Sequence, residues 1–274
     1  MTEQWDNERL AFTRAFAGAA VFGIPLVYTM EMWWIGKSLP ITHLLAVFAL
    51  GLLANFGLAH VAGFRKESSL LMSFDQAVDA LAVGILLAAF LLFGMNQLRP
   101  TDGLVQGVGT VILLALPLSL GASAAREVFE GRVTDEEKNG HVHLPVWKRM
   151  VAHIGATAIG GVFIGLSIAP TDEVTMVTAG ITRWHLFLII GLSLLLSYLI
   201  VFASGFARHQ PPGPLHHAIS ETVFSYAISL LVAILLLIML ERVRPGDPLA
   251  EMVRQTIVLA LPVSIGGAAG RLVI

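Results

Sequence analysis

Few side chains in this chain of 274 residues could do chemistry from within its apolar stretches. They are Glu31, His60, Asp75, Asp79 and Glu221, joined by the neutral Asn55. A charge at the centre of a bilayer costs at least about 2.5–3.5 kcal/mol, so such residues are the first place to look for function. Asp75 and Asp79 are four apart and share one face of a helix. His60 lies near the end of one apolar stretch and Asp79 near the start of the next. Both are then roughly 6–8 Å inside the membrane at 1.5 Å per residue, close enough to form a polar pair. Such a pair would titrate or bind a cation, or else serve as a static ion pair. Asp75 and Glu221 begin their helices, where they either cap the N-terminus or line an inner mouth. Glu31, beside Trp33 and Trp34, is either an acid at an outer mouth or an interfacial residue in an aromatic belt.

These residues need a bilayer around them, and composition supplies it. The chain is 56% apolar and 13% charged, with a net charge of −2 and a mean hydropathy of +0.78. Soluble domains carry about a quarter charged residues, so this chain cannot cover a water-facing surface. Eight spans of about 20 residues would take roughly 160 residues, close to the apolar share. A soluble enzyme, a nucleic-acid binder and a peripheral protein are excluded. There is no cysteine, which removes disulfides, thiolate metal sites and cysteine nucleophiles together. The first 14 residues are too acidic for a signal-peptide leader, so the first span is expected to remain as an anchor.

Apolar runs fall at about 15–36, 43–64, 74–95, 105–125, 150–169, 184–206, 218–240 and 255–274. Each must be helical, because lipid offers no partner for open backbone. With both termini cytoplasmic, the inner segments hold eleven Lys and Arg residues and the outer ones six, which is the orientation that positive charge favours. Residues 126–149 read as a charged cytoplasmic linker between a four-helix half at 1–125 and another at 150–274. A Pro-rich loop at 209–217 joins the sixth and seventh spans.

The halves are related. Residues 98–126 align with 243–271 without a gap and are identical at 14 of 29 positions, including Arg99 with Arg244, Asp102 with Asp247, Pro117 with Pro262, Ser119 with Ser264 and Arg126 with Arg271. Apolar composition alone does not reproduce shared polar and proline positions. At a slightly different offset, the run from His43 aligns with the run from His185. An even number of helices per copy gives two parallel repeats, with a pseudo-twofold axis along the membrane normal. In this alignment His60 and Asp79 correspond to Phe202 and Phe224, a paired replacement expected of residues in contact. The fourth and eighth spans each carry Pro, then Ser, then small residues: Gly121 and Ala125, or Gly266 and Gly270. Such faces let backbones approach closely. One reading sets these two helices against each other at the axis, with Ser119 and Ser264 on a pathway, and the other is ordinary tight packing.

Enzymatic alternatives are thinner. D-Q-A-V-D at 75–79 is similar to the magnesium-binding pair of membrane prenyltransferases, but a diphosphate site needs a second, facing set of carboxylates, and the second half offers only Ser220 and Glu221. The histidines at 141, 143, 209, 216 and 217 follow no helical metal-binding spacing. Lys37 and Lys66 sit at span ends, away from any intramembrane chromophore.

With T-M-E-M-W-W-I-G at 29–36, F-D-Q-A-V-D-A-L-A-V-G at 74–84 and R-P-x-D ahead of an L-A-L-P helix, the chain resembles an uncharacterised bacterial family of integral membrane proteins. That resemblance implies a multispanning inner-membrane protein and no particular activity. I-S-E-T-V-F-S-Y-A-I at 219–228 and S-F-D-Q-A-V-D-A-L-A at 73–82 are similar to the first-helix motif of lysosomal and bacterial potassium channels. The expected fold is an all-α polytopic membrane protein of eight helices. The expected function is a cation channel or proton-coupled transporter using Asp79, His60, Asp75, Glu221, Glu31, Asn55, Ser119 and Ser264. A lipid-modifying membrane enzyme and a sensor or assembly subunit are the alternatives. Its partners would be the bilayer and a small cation or proton, with no cofactor and no nucleic acid, and with homo-oligomer formation left open.

Overall fold

A backbone crossing lipid must satisfy its own N–H and C=O groups, and the described part of this chain does so with helices alone. The computed structural model describes residues 2–63, 70–99, 101–132, 146–203, 217–244 and 246–272. The chain divides into two compact units, Met1–Glu137 and Lys138–Ile274. Of the expected 126–149 linker, 126–132 continue a helix, 133–145 lie outside the described residues, and 146–149 start the next helix. Most of the 209–217 loop also lies outside them.

The first unit runs α1 (Thr2–Val27), α2 (Met30–Ser38), α3 (Ile41–Gly63), α4 (Leu70–Gly94) and α5 (Leu104–Arg132). The central helix is α5, which packs on α1, α4, α3 and α2. The second unit runs α6 (Val146–Ile168), α7 (Glu173–Gly180), α8 (Arg183–Tyr198), a π-helical turn (Leu199–Ala203), α9 (Ala218–Met239) and α10 (Leu249–Arg271). There α10 packs on α6, α9, α8 and α7. Among the described residues, seven helices are long and apolar enough to cross a membrane, and an eighth crossing exists if His153–Ile168 and Glu173–Gly180, bent by 85°, count as one span.

The first span differs from expectation because it is broken. Thr29 is extended (φ −91°, ψ 112°), so α1 ends at Val27 and a separate α2 follows. The carbonyls released at a helix end need partners: Thr29 Oγ1 donates to the Pro25 carbonyl at 3.2 Å and Trp33 Nε1 to the Val27 carbonyl at 2.7 Å. Trp33 is therefore 2% exposed, whereas Trp34 is 55% exposed, and only the latter fits an aromatic belt. Glu31 is exposed in the first turn of α2, and Glu173 is buried in the first turn of α7.

The units share local geometry at aligned positions. Asn96 and Glu241 both adopt φ 54° just past α4 and α9. The N–H groups of Gln97 and Arg242 donate back to Leu92 and Leu237, each at 2.8 Å, a left-handed helix stop. In both R-P-x-D turns the Asp carboxylate accepts the Arg backbone N–H, at 3.2 Å for Asp102 on Arg99 and 2.7 Å for Asp247 on Arg244.

The small faces of the two Pro-containing helices are filled within their own units. A Cβ on Gly121 would stand 2.9 Å from the Gly18 carbonyl oxygen of α1, and one on Gly266 would overlap the Gly160 carbonyl oxygen of α6. Within its own unit each small face packs closely, on α1 and on α6. The short helices are fastened differently. Lys37 of α2 binds Asp102 at 2.9 Å, while Arg254 of α10 donates to the Thr178 carbonyl at 3.1 Å and to that of Ile181, at the C-terminal end of α7.

Adding a methyl group at Gly266 is expected to lower stability by about 1–3 kcal/mol, as overpacking does. Gly57→Ala, where nothing lies within 4 Å of a new Cβ, should be neutral or stabilising by roughly 0.5–1 kcal/mol. Thermal melts in detergent followed by tryptophan fluorescence separate the two. The Lys37 hydrogen bond, aided by the Arg99 N–H, holds the Asp102 carboxyl below its ordinary pKa of 3.8. A depressed folded pKa gives stability that is present above the unfolded pKa and lost as pH falls through the folded one. Melting temperature should thus fall on acidification below about pH 4. Asp102→Asn should flatten that fall and cost about 0–1 kcal/mol at neutral pH, the range for a partly exposed pair.

Candidate functional site

Alanines leave room where four helices of the first unit meet. Ala11 and Ala15 of α1, Ala59 of α3, Ala80 of α4 and Ala122 of α5 line a cavity of about 410 Å³. Its polar groups are Glu8 from α1, Asp75, Gln76 and Asp79 from α4, and Ser123 from α5. The 75/79 spacing sets both aspartates on the cavity side of α4, as one helix face requires. Neither accepts a hydrogen bond or forms an ion pair among the described residues. Among those residues, no three His, Asp or Glu side chains converge closely enough to hold a metal ion. The cavity is an acid-lined chamber, with none of the tight oxygen cage that a bare divalent ion demands.

Ser123 connects this chamber to a buried polar chain. Its hydroxyl donates to Asn55 Oδ1 at 2.6 Å. Asn55 Nδ2 donates to Ser119 Oγ at 2.9 Å and to the Gly51 carbonyl at 2.8 Å. Ser119 Oγ in turn donates to the Leu116 carbonyl at 2.8 Å. Asn55 is fully buried, and its amide is satisfied on both sides. It ties α3 to α5 with the interhelical hydrogen bonding that membrane bundles use.

The expected residues are thus sorted by position. Asp75 and Asp79 share the cavity, and Asn55 and Ser119 form the network behind it. Ser119 is buried in a helix contact instead of facing a chamber. His60 is not among the lining residues: its ring lies parallel to Phe56, 5.8 Å between centroids, while its neighbour Ala59 takes the wall position. Glu31 stands apart on α2. Ser264 is buried in the second unit, its hydroxyl donating to the Leu261 carbonyl at 2.9 Å, and its own carbonyl accepts from Ser197 at 3.4 Å.

Glu221 does not line an open mouth. It is 4% exposed and Arg271 is 2% exposed. Arg271 Nη2 donates to Glu221 Oε2 at 2.9 Å and Nη1 to Ser225 Oγ at 2.9 Å, with the guanidinium 5.4 Å from the centre of the Phe202 ring. This pair closes α9 onto the end of α10 within the second unit. Three contributors escaped the sequence reading: Glu8, Ser123 and Arg271. Glu8, Ala11, Phe12 and Ala15 recur at helical spacing, a signal that Glu8 shares the face of the first span although it precedes it. For Arg271 the signal was only its identity with Arg126.

Removing one partner of a buried ion pair strands a charge and costs about 3–5 kcal/mol, whereas replacing both with apolar groups of similar size is near neutral. Arg271→Met and Glu221→Leu should each strongly lower the melting temperature in detergent, and the double variant should recover most of the loss.

Comparison with curated proteins and with solved structures gives no match. Residues 11–274 match the family described as "Putative integral membrane protein (DUF2391)". That match covers both units and nearly the whole chain, and the protein belongs to this family of integral membrane proteins.

Proposed function

We propose that the protein is a cation channel or proton-coupled cation transporter, and that cations enter it through the acid-lined cavity of the first unit. The observation that carries this reading is the joining of two unpartnered aspartates, Asp75 and Asp79, to a buried hydrogen-bonded chain through Ser123 and Asn55. Acids at a chamber mouth raise the local cation concentration. Hydroxyl and amide groups behind them give a cation or proton polar partners where hydrocarbon gives none. The D-x-x-x-D enzyme reading lacks a comparable support, since no facing carboxylate set accompanies Asp75 and Asp79 among the described residues.

The excess of Lys and Arg in the segments on the side of the termini supports a cytoplasmic placement of that face, in a bacterial inner membrane, so the cavity would open inward. An internal duplication is supported by the 14 identities in 29 positions and by the matched left-handed stops at Asn96 and Glu241. On this reading one copy keeps a chamber and the other has closed its equivalent.

Flux of H⁺, K⁺ and Na⁺ in proteoliposomes tests the function. Asp79→Asn should reduce the conducted flux by about tenfold or more, equivalent to roughly 1.4 kcal/mol, and Asp75→Asn should act in the same direction. His60→Phe should have the smaller effect. Absence of flux for every ion, or undiminished flux in both aspartate variants, would remove this assignment.

A further inference from the structure

A hydroxyl inside an apolar span needs a partner, because lipid supplies none. The second unit buries two of them side by side, Ser193 on α8 and Tyr226 on α9. Ser193 Oγ donates to the Ile189 carbonyl at 2.7 Å. The Tyr226 hydroxyl approaches Ser193 without reaching hydrogen-bond geometry with any group, and it is shut off from solvent. With the alignment of residues 98–126 to 243–271 extended back along α4 and α9, Tyr226 corresponds to Leu81, and the alignment from His43 pairs Ser193 with Gly51. These two meet as well: a Cβ on Gly51 would stand 3.5 Å from the Leu81 side chain. The same helix contact is hydrocarbon in the first unit and a pair of hydroxyls in the second, so packing alone does not call for Tyr226.

Tyr226 lines a groove of about 640 Å³ whose other walls are apolar, with Leu231 and Ile234 of α9 on one side and Leu249, Val253 and Ile257 of α10 on the other. Leu249 to Ile257 is eight residues, about 12 Å of helix, most of the roughly 15 Å of hydrocarbon in one leaflet. Leu231, Leu249 and Val253 are exposed, so the groove opens along its side. Tyr226 is eight residues from the start of the 22-residue α9, again about 12 Å, which sets its hydroxyl near mid-membrane.

We propose that this groove binds a neutral, lipid-soluble carbonyl compound of the quinone type, with a ring carbonyl accepting the Tyr226 O–H and an apolar tail lying between α9 and α10. The groove shares no residue with the acid-lined cavity. Its volume is about twenty times the roughly 30 Å³ share of one water molecule, room for a substituted ring and the start of a tail. The acceptor must be uncharged, since ionised groups are disfavoured at this depth. Phospholipid ester carbonyls stay at the headgroup boundary, and acyl chains bring only methylene and methyl groups to Tyr226. A quinone carries acceptor oxygens on an apolar frame, diffuses within the bilayer and can enter from the open side. Few polar groups in an otherwise apolar pocket are the usual means of orienting such a ligand.

The test titrates the full chain in detergent with decylubiquinone and with decylbenzene, which keeps a ring and tail but lacks the carbonyls. Decylubiquinone should bind saturably, one per chain, at least about tenfold tighter than decylbenzene. Tyr226→Phe, which keeps the ring, should weaken decylubiquinone binding by about three- to tenfold, the worth of one hydrogen bond, and leave decylbenzene binding unchanged. Ala227→Trp, placed on the lining, should exclude both probes, and an unchanged melting temperature in Tyr226→Phe keeps its result readable even if the tryptophan variant fails to fold. Equal affinity for the two probes, or decylubiquinone binding untouched by Tyr226→Phe, overturns the proposal. So does a phospholipid that survives purification in the groove and is not displaced by decylubiquinone.

Discussion

The structure of each unit depends on glycines that bring its last helix against the backbone of its first. Gly18 and Gly121 meet in this way between α1 and α5, and Gly160 and Gly266 between α6 and α10. In lipid there is no hydrophobic gain from merely associating apolar helices, so dispersion between closely packed backbones must supply much of the attraction. With α5 drawn onto α1, it stands in the middle of its unit and touches all four other helices. Only from that position can Ser119 and Ser123 reach Asn55 on α3 while Ala122 leaves space beside Asp79. The polar site is thus a consequence of the apolar packing that centres α5.

The two units handle intramembrane polarity in different ways. The first satisfies its deepest polar group with neutral partners: Asn55 exchanges hydrogen bonds with two serines and a carbonyl, which incurs no charge burial. Its two aspartates lie exposed on the wall of the cavity. The second buries a complete ion pair, and desolvation makes such a pair a poor source of stability even when its geometry is good. What the pair provides is a closed end to α9 and α10, with the arginine stem covering apolar surface and the head held inside.

How far the sequence could be read follows from the range of each interaction. Composition and apolar run length fix a helical membrane protein, because span length is set by bilayer thickness and little else. The shared face of Asp75 and Asp79 was legible because four residues make one turn. The break after Val27 was not, because the apolar pattern runs on through Tyr28 and Met30 while the signal lies in an indole that turns back to a carbonyl. Trp33 and Trp34 are adjacent and alike in type, yet one caps a helix and the other faces outward. In the sequence Arg271 stands out only as the counterpart of Arg126. Its inward turn depends on Glu221, fifty positions earlier, and no local pattern records that. His60 and Asp79 illustrate the reverse case: depth and spacing made them neighbours, but His60 stacks on Phe56 one turn earlier on its own helix while Asp79 lines the cavity.

The short helices show which level of the design is held constant between the units. Both α2 and α7 begin with an acid in their first turn, Glu31 and Glu173, where the helix dipole favours negative charge. Both are fixed to the unit's last helix or the turn before it. In the first unit a lysine on the short helix reaches an aspartate in the R-P-x-D turn. In the second an arginine on the long helix reaches carbonyls at the end of the short one, which are left without intrahelical donors. Donor and acceptor have exchanged helices while the junction itself is kept. A requirement met by two unrelated sets of contacts is a requirement on position. The short helix must be anchored because the preceding break leaves the end of α1 or α6 with carbonyls that something must satisfy, and in the first unit the residue that does so, Trp33, is delivered by α2 itself.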